Sequence, residues 1–373
     1  MRLQFGAPIP GASRGMSESE LHELQTVEPS PRPRRLRKVA RIIGVAAACL
    51  VLGGLTGWMG LAVYYTDLHG APPRTMRAIL IVAASVGVFL LTRLRRLRFA
   101  LFACLFAGVV AWYFSFRPSP ELDWATDVAV LPTVTVKGDL AHFQNIRHFD
   151  YRTDADFTPR YYDKTFDITK LRSIDYILSY WAGPAIAHAF VSFGFEDDQY
   201  LAVSIETRKE KSEDYSAIQG FFRQYELIYV VADERDIIRV RTNFRGEEVY
   251  LFRLRTPLKK LRAVFLDYIR TIDSLATRPR FYNALTENCT TSILAHFRCA
   301  PPYPPASIDV LLSGYSAQYA YDTGGLDTSL PFDELKARSK INGVAHTAGQ
   351  GPEFSRLIRS NLPMPPPRTD LPE

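Results

Sequence analysis

Apolar and polar positions follow two regimes along this chain, with long uncharged apolar runs up to about residue 117 and short alternating stretches beyond it. Residues 42–66 hold no charged side chain in 25 positions. At about 1.5 Å rise per residue, a helix of that length exceeds the roughly 30 Å of bilayer hydrocarbon. Residues 99–116 supply 18 more uncharged positions and close on Trp112, Tyr113 and Phe116, where an interfacial aromatic belt belongs. Between these runs, residues 78–92 offer only 15 uncharged positions. Arg77 and Arg93 bracket them, and their long stems can reach the interfaces, so three transmembrane helices are expected, at 42–66, 78–92 and 99–116. Gly70, Pro72 and Pro73 predict a tight loop between the first two.

From about residue 123 to 361 the pattern predicts one globular domain. Alternation marks strands at 133–137, 187–195, 200–206, 226–232 and 248–254, which suit an antiparallel sheet. Apolar residues at helical spacing, from Leu258 through Leu261, Phe265, Leu266, Ile269 and Ile272, predict a helix over 257–275, and a second is expected over 288–297. Strands followed by packed helices make an α+β domain. Residues 1–38, polar and Pro-rich without an apolar signal-peptide core, are expected to be disordered, as is the Pro-rich tail 362–373. The membrane region is then 39–117.

Composition adds orientation. The 373 residues carry 45 Lys and Arg against 39 Asp and Glu, a net +6. The excess is not a basic face suited to nucleic acid. Six cations lie between Arg32 and Arg41 and four between Arg93 and Arg98. Each cluster borders an apolar run, and cytoplasmic loops are the cationic ones. With three spans, everything after Phe116 lies outside. If residues 78–92 do not span, the same rule puts the domain in the cytoplasm. No metal cluster, glycine-rich phosphate loop or nucleotide fold is recognisable, so no cofactor is expected.

Of four cysteines, Cys49 and Cys104 fall within spans and read as packing residues. Cys289 and Cys299 fall in the domain. Were they the two ends of one helix, about 12 Å would separate them, too far for a disulfide. Asn288 reads as an N-cap with Cys289 in the first turn, where free N–H groups and the helix dipole favour a thiolate and can hold an oxyanion. A base is then needed. His188 shares a strand face with Phe190 and Ser192, and Glu206 lies on the polar side of the next strand. Glu206 either orients the His188 imidazole or pairs with Arg208, two residues on. His296, seven residues after Cys289, is two turns away and is discounted as the base. Ser192, Arg208 and Asn288 are the candidate substrate contacts.

A strand histidine, a polar residue on the next strand, then a helix-opening cysteine resembles the order of circularly permuted papain-like enzymes of the lecithin:retinol acyltransferase group. More closely, several motifs resemble the periplasmic domain of the Lnb family of bacterial lipoprotein N-acyltransferases. They are residues 145–151 (NIRHFDY), 188–195 (HAFVSFGF), 204–208 (SIETR), 224–229 (QYELIY), 233–236 (DERD), 281–283 (FYN) and 288–291 (NCTT). In a bacterial protein of this kind, the three expected spans and the outside position of the domain predict a multi-pass inner-membrane protein with its C-terminal domain in the periplasm. The resemblance implies that Cys289 takes an acyl chain from a phospholipid, that His188 moves the proton, and that the thioester passes to a lipoprotein N-terminus. A backbone N–H, with the Tyr282 hydroxyl, would hold the oxyanion. The residues alone leave two other readings open: a thiol amidase or peptidase of the envelope, and a membrane-anchored binding protein without activity.

Overall fold

The computed structural model describes residues 34–66, 73–118, 122–305 and 307–363. Most of the N-terminal segment, the tight loop after the first span and the end of the Pro-rich tail therefore lie outside the described residues. The chain divides into two compact units, residues 1–58 and 59–373. The described part of the first is helical, and its helix, α1 (Arg34–Tyr65), runs on into the second unit. There it is followed by α2 (Arg74–Leu91) and α3 (Arg95–Ser115). All three helices are long and apolar enough to cross a membrane. The short middle run gains length from Arg74 to Arg77, which join its first turn: 18 residues give about 27 Å of helix. Many of their apolar side chains are open to the surroundings, Leu50, Leu90 and Leu91 among them, as lipid-facing positions are.

The domain is mixed α and β, with an eight-stranded sheet packed against helices. The strands are β1 (Thr133–Lys137), β2 (Leu140–Arg147), β5 (Tyr161–Asp167), β6 (Leu171–Tyr180), β7 (Ala187–Phe195), β8 (Tyr200–Arg208), β9 (Glu226–Ala232) and β10 (Glu248–Arg253). A separate small hairpin is formed by β3 (Asp150–Tyr151) and β4 (Phe157–Thr158). The main order is β1-β2-β9-β8-β7-β6-β10, with β5 on β2. Pairing is antiparallel except for one parallel contact, Arg147 to Ala232. Three strands escape the alternation test for physical reasons. In β2 the register shifts between Phe143 and Ile146, and Asn145 has φ 62°, which breaks the period of two. Most of β6 is buried on both faces, polar Asp175 and Ser179 included. In β5 only Phe166 is buried, so the strand shows little apolar patterning.

The helices are α4 (Glu234–Arg239), α5 (Leu258–Thr277), α6 (Cys289–Phe297), α7 (Ser316–Asp322), α8 (Phe332–Arg338), α9 (Asn342–Ala348) and α10 (Phe354–Leu357). Val191, Val203 and Tyr229 on one sheet face pack with Phe265, Tyr268 and Ile293 from α5 and α6. Phe190, Ala202 and Ile228 on the other face pack with Ile237, Ala345 and Phe354 from α4, α9 and α10. The face expected to be polar is therefore also core. Its charges are paired: Arg359 bonds Asp175 and Glu234, and Arg147 bonds Asp236.

Candidate active site

Cys289 opens α6, and Asn288 caps that helix. The Asn288 Oδ1 accepts the Thr291 N–H at 2.8 Å, the Thr291 hydroxyl accepts the Asn288 N–H, and Asn288 Nδ2 donates to the Ala284 carbonyl. This reciprocal cap fixes the first turn and holds the thiol still. The sulfur lies among the N–H groups of Ala189, Thr290 and Cys289 itself. Ala189 is the residue after His188 on β7. Burial pushes the thiol's pKa up, and the three N–H groups pull the other way.

The strand pair is open at this point. Pairing of β7 with β8 begins at Phe190 with Ser204, so Ala187, His188 and Ala189 run on past it. Across this opening the His188 Nε2 lies 2.6 Å from Ser204 Oγ, and Ser204 Oγ donates to Glu206 Oε1 at 2.8 Å. A hydroxyl has one proton. Since the carboxylate can only accept, Ser204 gives its proton to Glu206 and accepts one from Nε2, which leaves the lone pair of His188 on Nδ1. Glu206 Oε1 also lies 3.6 Å from Nε2 and accepts from Arg241 Nη2 at 3.0 Å. Arg241 comes from a π-helical turn, Val240–Phe244, and its guanidinium covers the Phe190 ring on which His188 stacks. Such turns concentrate at functional sites.

These neighbours set the charges. Burial first, then Arg241, brings the His188 pKa down to about 4, against the pull of Glu206. Burial alone would raise Glu206; Arg241 and then His188 outweigh it and hold the carboxylate well below its usual range. The resting site is a neutral imidazole, a charged carboxylate and a largely protonated thiol. Burial, then the Cys289 charge, pushes the Tyr282 phenol well above its usual value, so it stays a hydrogen-bond donor.

His188 and Glu206 thus lie at this opening, the N–H of the residue after His188 meets Cys289, and Tyr282 is close enough to feel the Cys289 charge. Glu206 takes Arg241 as its cation, whereas Arg208 lies 3.7 Å from Glu226. The three residues expected to contact substrate are instead committed to the scaffold. Ser192 is fully buried and donates to Glu234, and Arg208 is buried, donates to the Val128 and Ala129 carbonyls and covers Trp124. Asn288 spends its side chain on the helix cap. His296 is held between Asp267 and Tyr229 and stacks on Tyr268, a structural post. All four cysteines are free. Two participants were passed over in the sequence: Ser204, which the shared face with Glu206 could have revealed, and Arg241, which no local signal marks.

Apolar side chains are exposed on the segments that lead into these elements. Trp181 and Ile186 precede β7, Tyr215, Ile218 and Phe221 precede β9, and Leu285 precedes α6; each is about half exposed. Tyr215 lies close enough to feel the Cys289 charge. A few residues on, Phe222 stacks on Tyr65 at the end of α1. Arg223 Nη1 donates to the Phe116 carbonyl just past α3 at 2.9 Å, and its guanidinium lies over Tyr113 and Phe114. Gly314 fixes the far wall: a Cβ there would collide with the Pro184 carbonyl, and the Ser313 hydroxyl accepts the Ala187 N–H.

Residues 157–314 match the family model of the Lnb N-terminal periplasmic domain, a span that includes His188, Glu206 and Cys289. No curated protein and no solved structure matches the chain.

Proposed function

From the match of residues 157–314 to the Lnb N-terminal periplasmic domain, we propose that this chain is a membrane-anchored acyltransferase of the permuted papain-like type, working through a Cys289 thioester at the outer face of the bacterial inner membrane. The observation that carries the reading is the segment from Tyr215 to Arg223, which runs from the thiol to the ends of two apolar helices. A thiol tied so closely to membrane helices, with apolar side chains exposed on the segments leading to it, suits a lipid ester better than a polar peptide groove.

The steps balance as follows. His188 Nδ1 takes the thiol proton as the sulfur attacks an ester carbonyl of a phospholipid; the C–S bond forms, and the oxyanion is held by N–H groups at the start of α6 and by the Tyr282 hydroxyl. The C–O bond breaks, His188 returns the proton to the departing alkoxide, and a lysophospholipid leaves. An amine, in this reading the free α-amino group of a lipoprotein N-terminus, then attacks the thioester. The C–N bond forms, the C–S bond breaks, and the amine proton passes through His188 to the thiolate. Glu206 stabilises the imidazolium present in each step, and Ser204 keeps the tautomer correct.

Mass spectrometry of a lipoprotein N-terminus from cells with and without the protein tests this. An added N-acyl chain is expected only in its presence, and Cys289→Ala should remove it. An unchanged acylation state counts against the acceptor, and full activity of Cys289→Ala against the nucleophile.

A further inference from the structure

A cavity of ≈ 210 Å³, open to solvent on one side, runs along α6. Thr290, Ile293, Leu294 and Phe297 line it at helical spacing, so one stripe of the helix forms a wall, and that stripe starts at the residue after the nucleophile. Tyr176 and Ala320 lie on other walls. The polar atoms at its inner end are already satisfied: the Tyr176 hydroxyl bonds Ser316 at 2.7 Å, and the Thr290 hydroxyl donates to the Val310 carbonyl. Water would find few partners there, whereas an apolar chain loses nothing. Two cations also line it. The Lys260 ammonium is turned onto the Pro302 carbonyl, and Arg255, whose Nε is buried without a hydrogen-bond partner, sits in the segment leading into α5, whereas Tyr176 is a wall residue close enough to feel the Cys289 charge.

Resting on the acyltransferase reading, we propose that this cavity holds the hydrocarbon chain of the acyl group while it is attached to Cys289 and so measures the chain length accepted. The chain enters past Thr290 and lies along the Ile293, Leu294 and Phe297 stripe. Each methylene buried is worth about fourfold in transfer until the cavity is full.

The test uses the full chain in proteoliposomes. Acyl-enzyme at Cys289 is read by mass spectrometry with phospholipids of graded acyl length and with a soluble butyryl ester. Leu294→Trp fills the cavity from a partly exposed position. It should cut acylation by long-chain donors about tenfold or more relative to the butyryl ester, a loss equivalent to roughly two methylenes. Leu294→Ala widens the cavity and should move the preferred length upward, which keeps the test open if the Trp variant folds poorly. Binding is read separately in the Cys289→Ala background from the fluorescence of cis-parinaric acid, which Leu294→Trp should abolish. An unmoved length profile in both Leu294 variants overturns the cavity assignment. Parinarate binding that is lost in Leu294→Trp, with no acyl-enzyme from any donor, leaves the cavity standing as a chain site and overturns the acyltransferase reading instead.

Discussion

Replacing Glu206 by Gln removes one charge while keeping an acceptor of nearly the same shape. Its Oε1 lies 3.6 Å from His188 Nε2, which at an effective dielectric of about 20 gives an attraction of roughly 4–5 kcal/mol for the imidazolium. Both side chains are 20% exposed, and the same oxygen is shared with Ser204 and Arg241. Allowing for that screening, about 2–3 kcal/mol remains, or on the order of a hundredfold in rate. The imidazole is neutral at rest, so the loss falls on steps that form the imidazolium. Turnover should fall about a hundredfold with little change in KM. The variant also takes one of two carboxylates from the buried Arg241 guanidinium, leaving Glu247 at 3.9 Å, which costs about 1.5–3 kcal/mol of stability. The assay is steady-state transfer by the purified full chain in proteoliposomes, alongside its thermal midpoint. Turnover within about threefold of the parent, with the midpoint lowered, would refute the catalytic role and leave Glu206 as a partner for Arg241.

Four further outcomes are expected. His188 must be neutral to accept a proton and its pKa is lowered to about 4, so the acid limb of activity should lie between about 4 and the ordinary histidine value; a half-activity point at or above 6.5 contradicts the site electrostatics. Asn288→Ala should lower stability by about 1 kcal/mol through the lost cap and reduce turnover by loosening the first turn of α6, whereas an unchanged melting midpoint would show the cap to be idle. Arg223→Ala, which frees the site from the end of α3, should slow transfer from bilayer phospholipid several-fold and leave the soluble butyryl ester unaffected; equal losses on both substrates would mean that Arg223 only holds the fold. Cys299 is an exposed thiol of the domain, so a membrane-impermeant maleimide should label it in cells with a permeabilised outer membrane, and labelling that waits for lysis would reverse the proposed orientation.

The membrane helices, the strands at β1, β7, β8, β9 and β10, and the helices α5 and α6 were all legible in the chain, because each carries its own local period. The Asn288 cap with Cys289 at the start of α6 was legible too, since a cap followed by cysteine is a contiguous pattern, and the strand positions of His188 and Glu206 followed from alternation. Tertiary structure decided what alternation cannot report. It buried both faces of the sheet, which turned Ser192 and Arg208 from candidate substrate contacts into scaffold. It parted β7 from β8 beside His188, so that Ser204 could fix the tautomer and the Ala189 N–H could meet the thiol. It also brought Arg241 to Glu206 from 35 residues along the chain. Local periodicity records which way a side chain leaves its own element; which charge or wall it meets depends on packing between elements distant in sequence. Arg241, the Arg223 tie to α3 and the cavity along α6 therefore became visible only in the folded chain.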